Sequence, residues 1–201
     1  MTDTALFSTL EAQQFDRGQI GDKGIDPTAI AAAERRIRSR FYRLCGVAFV
    51  STSASITRDG TGTRELLIPY LELTAVTACT VYDEYLAVYE TFDADDLADL
   101  AIDPAGIIIR RTRGTFLRGL RNVSLAITHG MDTVPEEIKW AALKLALWEL
   151  IPNDVDQRAT AVTVDGRTWS MATAGRAGYY TGIPEVDEVL KEHDRRVPGI
   201  G

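Results

Sequence analysis

The chain contains few residues of the types that perform catalysis or hold a metal ion. It has two histidines, His129 and His193, and two cysteines, Cys45 and Cys79. A nucleophilic triad needs a histidine base, and a four-cysteine zinc site needs more thiols than the chain has. His129 stands at the predicted end of a strand and His193 in a predicted C-terminal helix, so we interpret both as surface or capping residues. We interpret the cysteines as small buried hydrophobic residues.

Signatures of nucleotide, hydrolase and calcium sites are absent from the sequence as well. Gly60 and Gly62 belong to a predicted turn with no helix after it, so they do not form a phosphate-binding loop. The acidic segment 92–103 lacks the central glycine and the closing glutamate of a calcium-binding loop. We therefore predict a protein that is not an enzyme and that holds no cofactor and no metal.

Charge is distributed in blocks along the chain. The segment 83–103 contains eight acidic residues and no lysine or arginine, whereas 110–121 contains five arginines and no acid. The two segments either neutralise each other within one subunit or meet on neighbouring subunits, in the head-to-tail contact that closes rings. The candidate inter-subunit charges are Asp93, Asp95, Asp96, Asp99, Arg110, Arg111, Arg113, Arg118 and Arg121.

The segment 167–183 combines glycine and alanine with large apolar side chains. Tyrosine and tryptophan bury much area for few rotatable bonds, and they anchor many protein interfaces. This segment either packs on the core of its own chain or binds a partner. The candidate anchors are Trp169, Met171, Tyr179, Tyr180 and Ile183.

The composition is typical of a globular protein, with 45% hydrophobic and 25% charged residues among 201. The longest apolar run, 141–151, is too short to cross a bilayer. A formal net charge of −7 argues against a general nucleic-acid binder. An accessory DNA-binding role is the alternative, because the predicted first helix carries five arginines from Arg35 to Arg43 that could contact phosphates. These arginines are expected to surround the helix.

Two helices are expected to build the core. The first is predicted over 26–46, because this segment opens on Asp-Pro, carries one apolar stripe and closes on glycine. The second is predicted to begin at Thr133, whose spacing to Glu136 matches a capping box, and to end before Pro152. It is apolar on nearly all sides. A short third helix is predicted from Pro184.

A strand-rich region lies between the two core helices. The turn Asp59–Gly62 predicts a hairpin that pairs 53–58 with 63–68. A further strand is predicted over 73–82, which is rich in threonine and valine. The strands at 106–112 and 122–128 are expected to pair with each other.

This order of elements predicts an α+β fold. We expect a helical core of two main helices plus a short C-terminal helix, with a β-strand insertion between the core helices and extended N- and C-terminal arms. The expected domains are an N-terminal arm at 1–25, a core at 26–152 with the β insertion at about 50–130, and a C-terminal extended arm with a short helix at 153–201.

Four motifs in a fixed order resemble one known family. They are the segment 59–69, the strand end 122–130, the helix start Val134–Lys139, and the C-terminal segment Thr181–Leu190. Together, over roughly residues 25–196, they are similar to the head-to-tail connector proteins of tailed bacteriophages, which are also called adaptor or head-completion proteins.

The resemblance implies a structural virion protein. Members of the family form a ring, commonly of about twelve subunits, that docks under the portal, extends the DNA channel and offers a platform for the stopper or tail-terminator protein. The implied partners are further copies of the chain, the portal, the stopper or tail terminator, and duplex DNA that passes without sequence-specific binding; no membrane is implied. The implied location is the virion neck, after synthesis in the host cytoplasm.

The same resemblance gives two expectations for the charged segment and the tail. The acidic segment is expected near the lumen of the ring or at a subunit contact, where a negative surface repels DNA phosphates. The C-terminal arm is expected against the portal.

Overall fold

The computed structural model describes residues 5–112, 114–151, 161–164, 167–170 and 180–195, with the backbone alone described at 17–19, 161–164 and 167–170. These residues form two compact units. The strand unit comprises residues 50–133. The helical unit comprises residues 5–49 and the chain from 134 onward.

The elements follow one another in the order α1 (Thr9–Asp22), α2 (Pro27–Cys45), β1 (Thr52–Gly60), β2 (Glu65–Leu67), β3 (Leu73–Tyr82), β4 (Val88–Thr91), α3 (Ala94–Ala98), β5 (Leu100–Asp103), β6 (Ile107–Arg110), β7 (Gly119–His129), α4 (Glu136–Leu150), β8 (Ala161–Val164), β9 (Arg167–Ser170) and α5 (Pro184–Glu192).

The strand unit contains two antiparallel sheets. One has the strand order β1-β7-β3-β4 and the other the order β2-β6-β5. β7 is central in the first sheet because Val123, Leu125 and Ile127 alternate with smaller or polar residues and point to one buried face. Ile108 of the second sheet joins the same core cluster, so both sheets share one core.

The helical unit is built from α1, α2, α4 and α5. The predicted first helix is confirmed: Asp26 caps α2 by accepting a hydrogen bond from the Thr28 backbone N–H, and Gly46 ends it in the left-handed region at φ 73°. α4 is buried on most faces, as its sequence predicts. The prediction of a capping box at Thr133 and Glu136 is wrong, because Pro135 is the N-cap of α4 and no side chain caps this helix.

The predicted fold class is wrong in its main statement. Seven strands form two antiparallel sheets with a core of their own, so the chain is a mixed α and β protein and not a helical core with inserted strands. The extended N-terminal arm is wrong too, because α1 occupies Thr9–Asp22 behind a capping box made by Ser8 and Glu11. In the predicted C-terminal arm, β8 pairs with β9. The predicted domain boundaries stay predictions.

Two predicted strand pairings are also wrong. β1 pairs with β7 and not with β2, and β6 pairs with β2 and β5 and not with β7. The Asp59–Gly62 turn therefore carries the chain from one sheet to the other. The strand predicted over 73–82 is confirmed as β3. Among the described residues, no helix combines the length and hydrophobicity needed to cross a bilayer.

Candidate interaction surfaces

His129 ends β7 and belongs to the core of the strand unit. Its exposure is 4%, and its ring packs against Tyr70 with the centroids 4.3 Å apart. Burial disfavours the charged imidazolium and so lowers the pKa of His129 below its ordinary value. The interpretation of His129 as a surface or capping residue is therefore wrong.

His193 and the two cysteines have structural positions. His193 is the C-cap of α5, as expected of a capping residue, with Nδ1 3.0 Å from the Val189 carbonyl oxygen and Nε2 3.1 Å from Glu137 Oε1. Both cysteines are buried, as predicted. Burial raises the pKa of Cys79 to about 12, which keeps this thiol protonated. In the described ranges, no group of three histidine, cysteine, aspartate or glutamate side chains could hold a metal.

Arg110 is the centre of a buried ion pair. It is 4% exposed, and its guanidinium makes two 2.9 Å hydrogen bonds to the two carboxylate oxygens of Glu90. The same guanidinium lies 4.5 Å from the ring centre of Phe92 and 6.0 Å from that of Phe116. The hydrogen bonds to Glu90 raise the pKa of Arg110 further. Of the two alternatives for the charged segments, Arg110 shows pairing within the subunit.

The other described charges of the two segments lie nearer the surface. Asp93 and Asp96 form the capping box of α3, and the Asp99 carboxylate accepts hydrogen bonds from the backbone N–H and hydroxyl of Thr112. These aspartates thus shape the loop before β5. Arg113 lies outside the described residues. The exposed members of the set are Asp93, Asp95, Arg111, Arg118 and Arg121. Their contact with another subunit stays a prediction.

Of the predicted C-terminal anchors, Tyr180 and Ile183 have described side chains, and both are half-buried. Arg40 of α2 donates a 2.8 Å hydrogen bond to the Tyr180 carbonyl oxygen. Ile183 borders, together with Trp148 of α4, a mainly apolar cavity of about 340 Å³. Outside the description lie Met171, Tyr179 and the side chain of Trp169.

The turn between β3 and β4, residues 83–89, presents apolar side chains to solvent, and we name it the hairpin tip. Tyr85 is 81% exposed and Leu86 73%. One carboxylate oxygen of Asp83 accepts hydrogen bonds from the backbone N–H groups of Tyr85 and Ala87, both 2.9 Å long. Leu86 adopts a left-handed backbone at φ 61°. The tip therefore has a defined shape with two large apolar groups at its end.

A second surface lies on the helical unit. We name it the arginine groove; its volume is about 530 Å³ and it is lined by Arg35, Arg36, Ser39, Arg40, Arg43 and Glu149. The prediction that the arginines surround α2 is wrong for four of the five, because positions 35, 36, 40 and 43 lie on one side of a helix. Arg38 is directed to Glu34, 3.6 Å away.

Two of the groove arginines are held in place and two are available. Arg36 pairs with Glu149 at 3.3 Å, and Arg40 binds the Tyr180 carbonyl. Arg35 and Arg43 are exposed and form no ion pair within the part of the chain that the structure describes. The groove thus offers two guanidinium groups to a partner.

Sequence reasoning missed the hairpin tip. Its signal is present, since Tyr85, Leu86, Val88 and Tyr89 interrupt the acidic segment with apolar residues. If such a run is interpreted as a β-strand, its alternate apolar residues are assigned to a buried face. The turn fixed by Asp83 exposes Tyr85 and Leu86 together instead.

Comparison with known proteins gives structural similarity alone. No protein family matches the sequence, and no curated protein matches it. A chain from the neck of an empty gene transfer agent particle, computed with C6 symmetry, has a TM-score of 0.64 at 13% identity, covering 100% of this chain and 99% of that one.

Two further structures from such particles are similar over the same extent. A chain of the virion of a native gene transfer agent particle has a TM-score of 0.53 at 16% identity, covering 100% of this chain and 98% of that chain. A chain from the neck of a native particle, computed with C12 symmetry, has a TM-score of 0.50 at 14% identity, with 100% and 99% covered. At these identities the likeness shows the fold alone.

Proposed function

We propose that the chain is a structural protein of a virion neck, where copies of it form a ring-shaped adaptor between the portal and the tail. The observation that carries this proposal is the whole-chain similarity, at a TM-score of 0.64, to a chain from a particle neck. It covers both units, so the relation extends beyond one common motif.

A ring is supported by two of the similar structures, which were computed with C6 and C12 symmetry. A closed ring needs two different surfaces on each subunit that complement each other. The chain carries separate acidic and basic surfaces that meet this need. In this proposal the ring extends the DNA channel under the portal and gives the stopper or tail terminator a platform.

The C-terminal segment is the proposed portal contact. Anchors such as Trp169 and Tyr179 would lie along the portal, next to the described Tyr180 and Ile183. A single segment binds modestly per copy, but a ring of about twelve copies adds avidity. Trp169→Ala combined with Tyr179→Ala tests this contact and leaves α5 in the helical unit. The double variant is expected to lose portal binding, and retained binding would remove these anchors from the proposal.

The acidic segment is the proposed lumen surface. Asp95 is the suitable test residue, because it is exposed whereas Asp93, Asp96 and Asp99 hold the local fold. Asp95→Lys is expected to slow DNA release from assembled particles, since it replaces a repulsive charge with one that attracts phosphate. An unchanged rate of DNA release at low salt would contradict the lumen position of the acidic segment.

Native mass spectrometry of the purified chain, alone and mixed with the portal of its particle, tests the function as a whole. A closed ring of about twelve copies is expected, either free or bound to the portal. A chain that stays monomeric and does not bind the portal would contradict the proposal.

A further inference from the structure

The hairpin tip and the arginine groove have complementary chemistry. At the tip, exposed Glu84 precedes exposed Tyr85 and Leu86. Guanidinium groups pair with carboxylates and also stack on aromatic rings. We propose that the hairpin tip of one copy of the chain binds the arginine groove of the neighbouring copy, and that this contact joins the subunits of the ring. This inference rests on the proposed function.

The tip is shaped before it meets a partner. The Asp83 carboxylate fixes the turn through two backbone hydrogen bonds, and the Asp83 N–H donates a third, 2.9 Å long, to the Ala87 carbonyl. Leu86 is a γ-branched residue in a backbone region that glycine prefers, and its side chain is 73% exposed. A strained, exposed apolar residue contributes little to its own fold, and preorganisation lowers the entropy lost on binding.

The arginine groove also has a fixed shape before it meets a partner. Arg36 and Arg40 are fixed by Glu149 and by the Tyr180 carbonyl, so the groove keeps its form. Arg35 and Arg43 remain exposed at its edge. In the bound state the Glu84 carboxylate pairs with one of these guanidiniums, and the Tyr85 ring stacks on the other. The Leu86 side chain packs on the alkyl parts of the groove arginines.

Charge selects a second copy as the occupant of the groove. The tip lies in the segment 83–103, which has eight acids and no base, so two tips repel each other. Two grooves repel each other for the same reason. Tip against groove is the attractive combination. Two copies joined by one such contact keep a free groove on one copy and a free tip on the other, so further copies can be added head to tail.

Leu86→Gly is the sharpest variant, because glycine adopts the positive φ without strain. The variant is expected to unfold at the wild-type temperature or above it, while the concentration needed for half-assembly of the ring rises at least about tenfold. Leu120→Ser is the matched control, since Leu120 is 79% exposed in the same unit but outside the tip. This control is expected to assemble as the wild type does.

A charge exchange tests the partner surface. Glu84→Arg alone and the pair Arg35→Glu with Arg43→Glu alone are each expected to weaken assembly at least about tenfold. When all three substitutions are combined in one chain, most of the assembly is expected to return. Simple loss of folding would not give this recovery.

The outcomes separate the inference from the proposed function. If the wild type forms rings and the Leu86 and charge variants form them equally well, the inference is overturned and the proposed function stands. It is overturned as well if reversal of Arg35 and Arg43 leaves the ring intact and abolishes binding to duplex DNA, or if tip variants lose only a tail-side protein. If the wild type forms no ring with or without the portal, both proposals fall.

Discussion

Arg110 shows how one side chain organises the strand unit. It belongs to β6 of the three-stranded sheet, while Glu90 belongs to β4 at the edge of the four-stranded sheet. The ion pair with Glu90, at 2.9 Å, therefore joins the two sheets, and the Phe92 and Phe116 rings enclose the guanidinium. Glu90 thus anchors β4, the strand in which the hairpin tip ends.

Glu90→Ala is expected to destabilise the fold by about 3 kcal/mol, because it leaves the Arg110 charge buried without its partner. This is the lower end of the range for a broken buried pair, since 30% of the Glu90 side chain is exposed. Denaturation in urea measures the change in the free energy of unfolding. Glu65→Ala is the control, because Glu65 is exposed on β2. Equal stability of the two variants would show that the pair contributes little.

His129 predicts a pH dependence of stability. Its folded-state pKa is lowered from the ordinary 6.5, so below pH 6.5 the unfolded state binds more protons than the folded state. Stability is therefore fully present above pH 6.5 and falls as the pH drops toward the folded-state value. Thermal unfolding between pH 7.5 and 5.5 is expected to show a smaller decrease for His129→Gln than for the wild type. Identical decreases would assign the dependence to other groups.

At this scale the burial of the two cysteines could be predicted from their residue type, but the burial of Arg110 could not. The paucity of histidine and cysteine is visible in the composition. The burial of Arg110 cannot be inferred from the composition, because an arginine in a basic segment normally stays in water. Only the distant Glu90 and two phenylalanines, brought together by pairing between strands, make its burial tolerable.

At the scale of the elements, the crossing from β1 to β2 is closely packed around Gly60. Gly60 pairs with Gly119 of β7, and the Gly60 N–H donates a 2.8 Å hydrogen bond to the buried Asn122 side chain. The Asn122 amide in turn donates to the carbonyl groups of Tyr82 and Leu117. One asparagine thus connects β1, the end of β3 and the segment before β7.

Gly60→Ala is expected to destabilise the strand unit by about 3 kcal/mol or more, because a Cβ there would overlap the carbonyl oxygen of Leu117. Gly24→Ala is the matched control. Gly24 has φ 62° and open space around it, so alanine there costs only the backbone strain, about 1 kcal/mol. Thermal unfolding of both variants is the measurement. A small effect at Gly60 would mean that β1 and the segment before β7 can move apart.

The helices α2, α4 and α5 could be predicted from local signals, whereas α1 was missed and the strand partners could not be predicted. The cap at Asp26, the stripe of α2 and the stop at Gly46 lie within one continuous segment. The partner of β1 is β7, whose residues lie far along the chain, and no turn sequence encodes that choice. A glycine-rich turn fits a hairpin and a sheet-to-sheet crossing equally well, so the hairpin prediction failed there.

At the scale of the whole molecule, the strand unit is one continuous stretch with its own hydrophobic core. We expect a fragment of residues 50–133 to fold alone, because all members of that core cluster lie within it. Circular dichroism and a dispersed amide spectrum, with a cooperative thermal transition, would confirm this. A fragment with the spectrum of an unfolded chain would show that the strand unit depends on the helical unit.

The sequence-based fold class failed at this scale because it weighed elements by length. α2 and α4 are long and regular, so they were assigned the core, while the strand-rich region between them was treated as an insertion. Short strands bury apolar area cooperatively only once their sheets form, and local periodicity does not measure that area. The arginine groove is missed for the same reason, since it is formed by α2 together with Glu149 of the distant α4.

The division of the helical unit between the two ends of the chain has a consequence for biosynthesis. Arg36 and its partner Glu149 are separated by 113 positions, so the groove on α2 stays incomplete while the ribosome makes the strand unit. At about 5–20 residues per second this interval lasts roughly 6–20 s. Each hairpin tip therefore leaves the ribosome before its own chain has completed the arginine groove. In the proposed ring, only chains translated through α4 carry both contact surfaces.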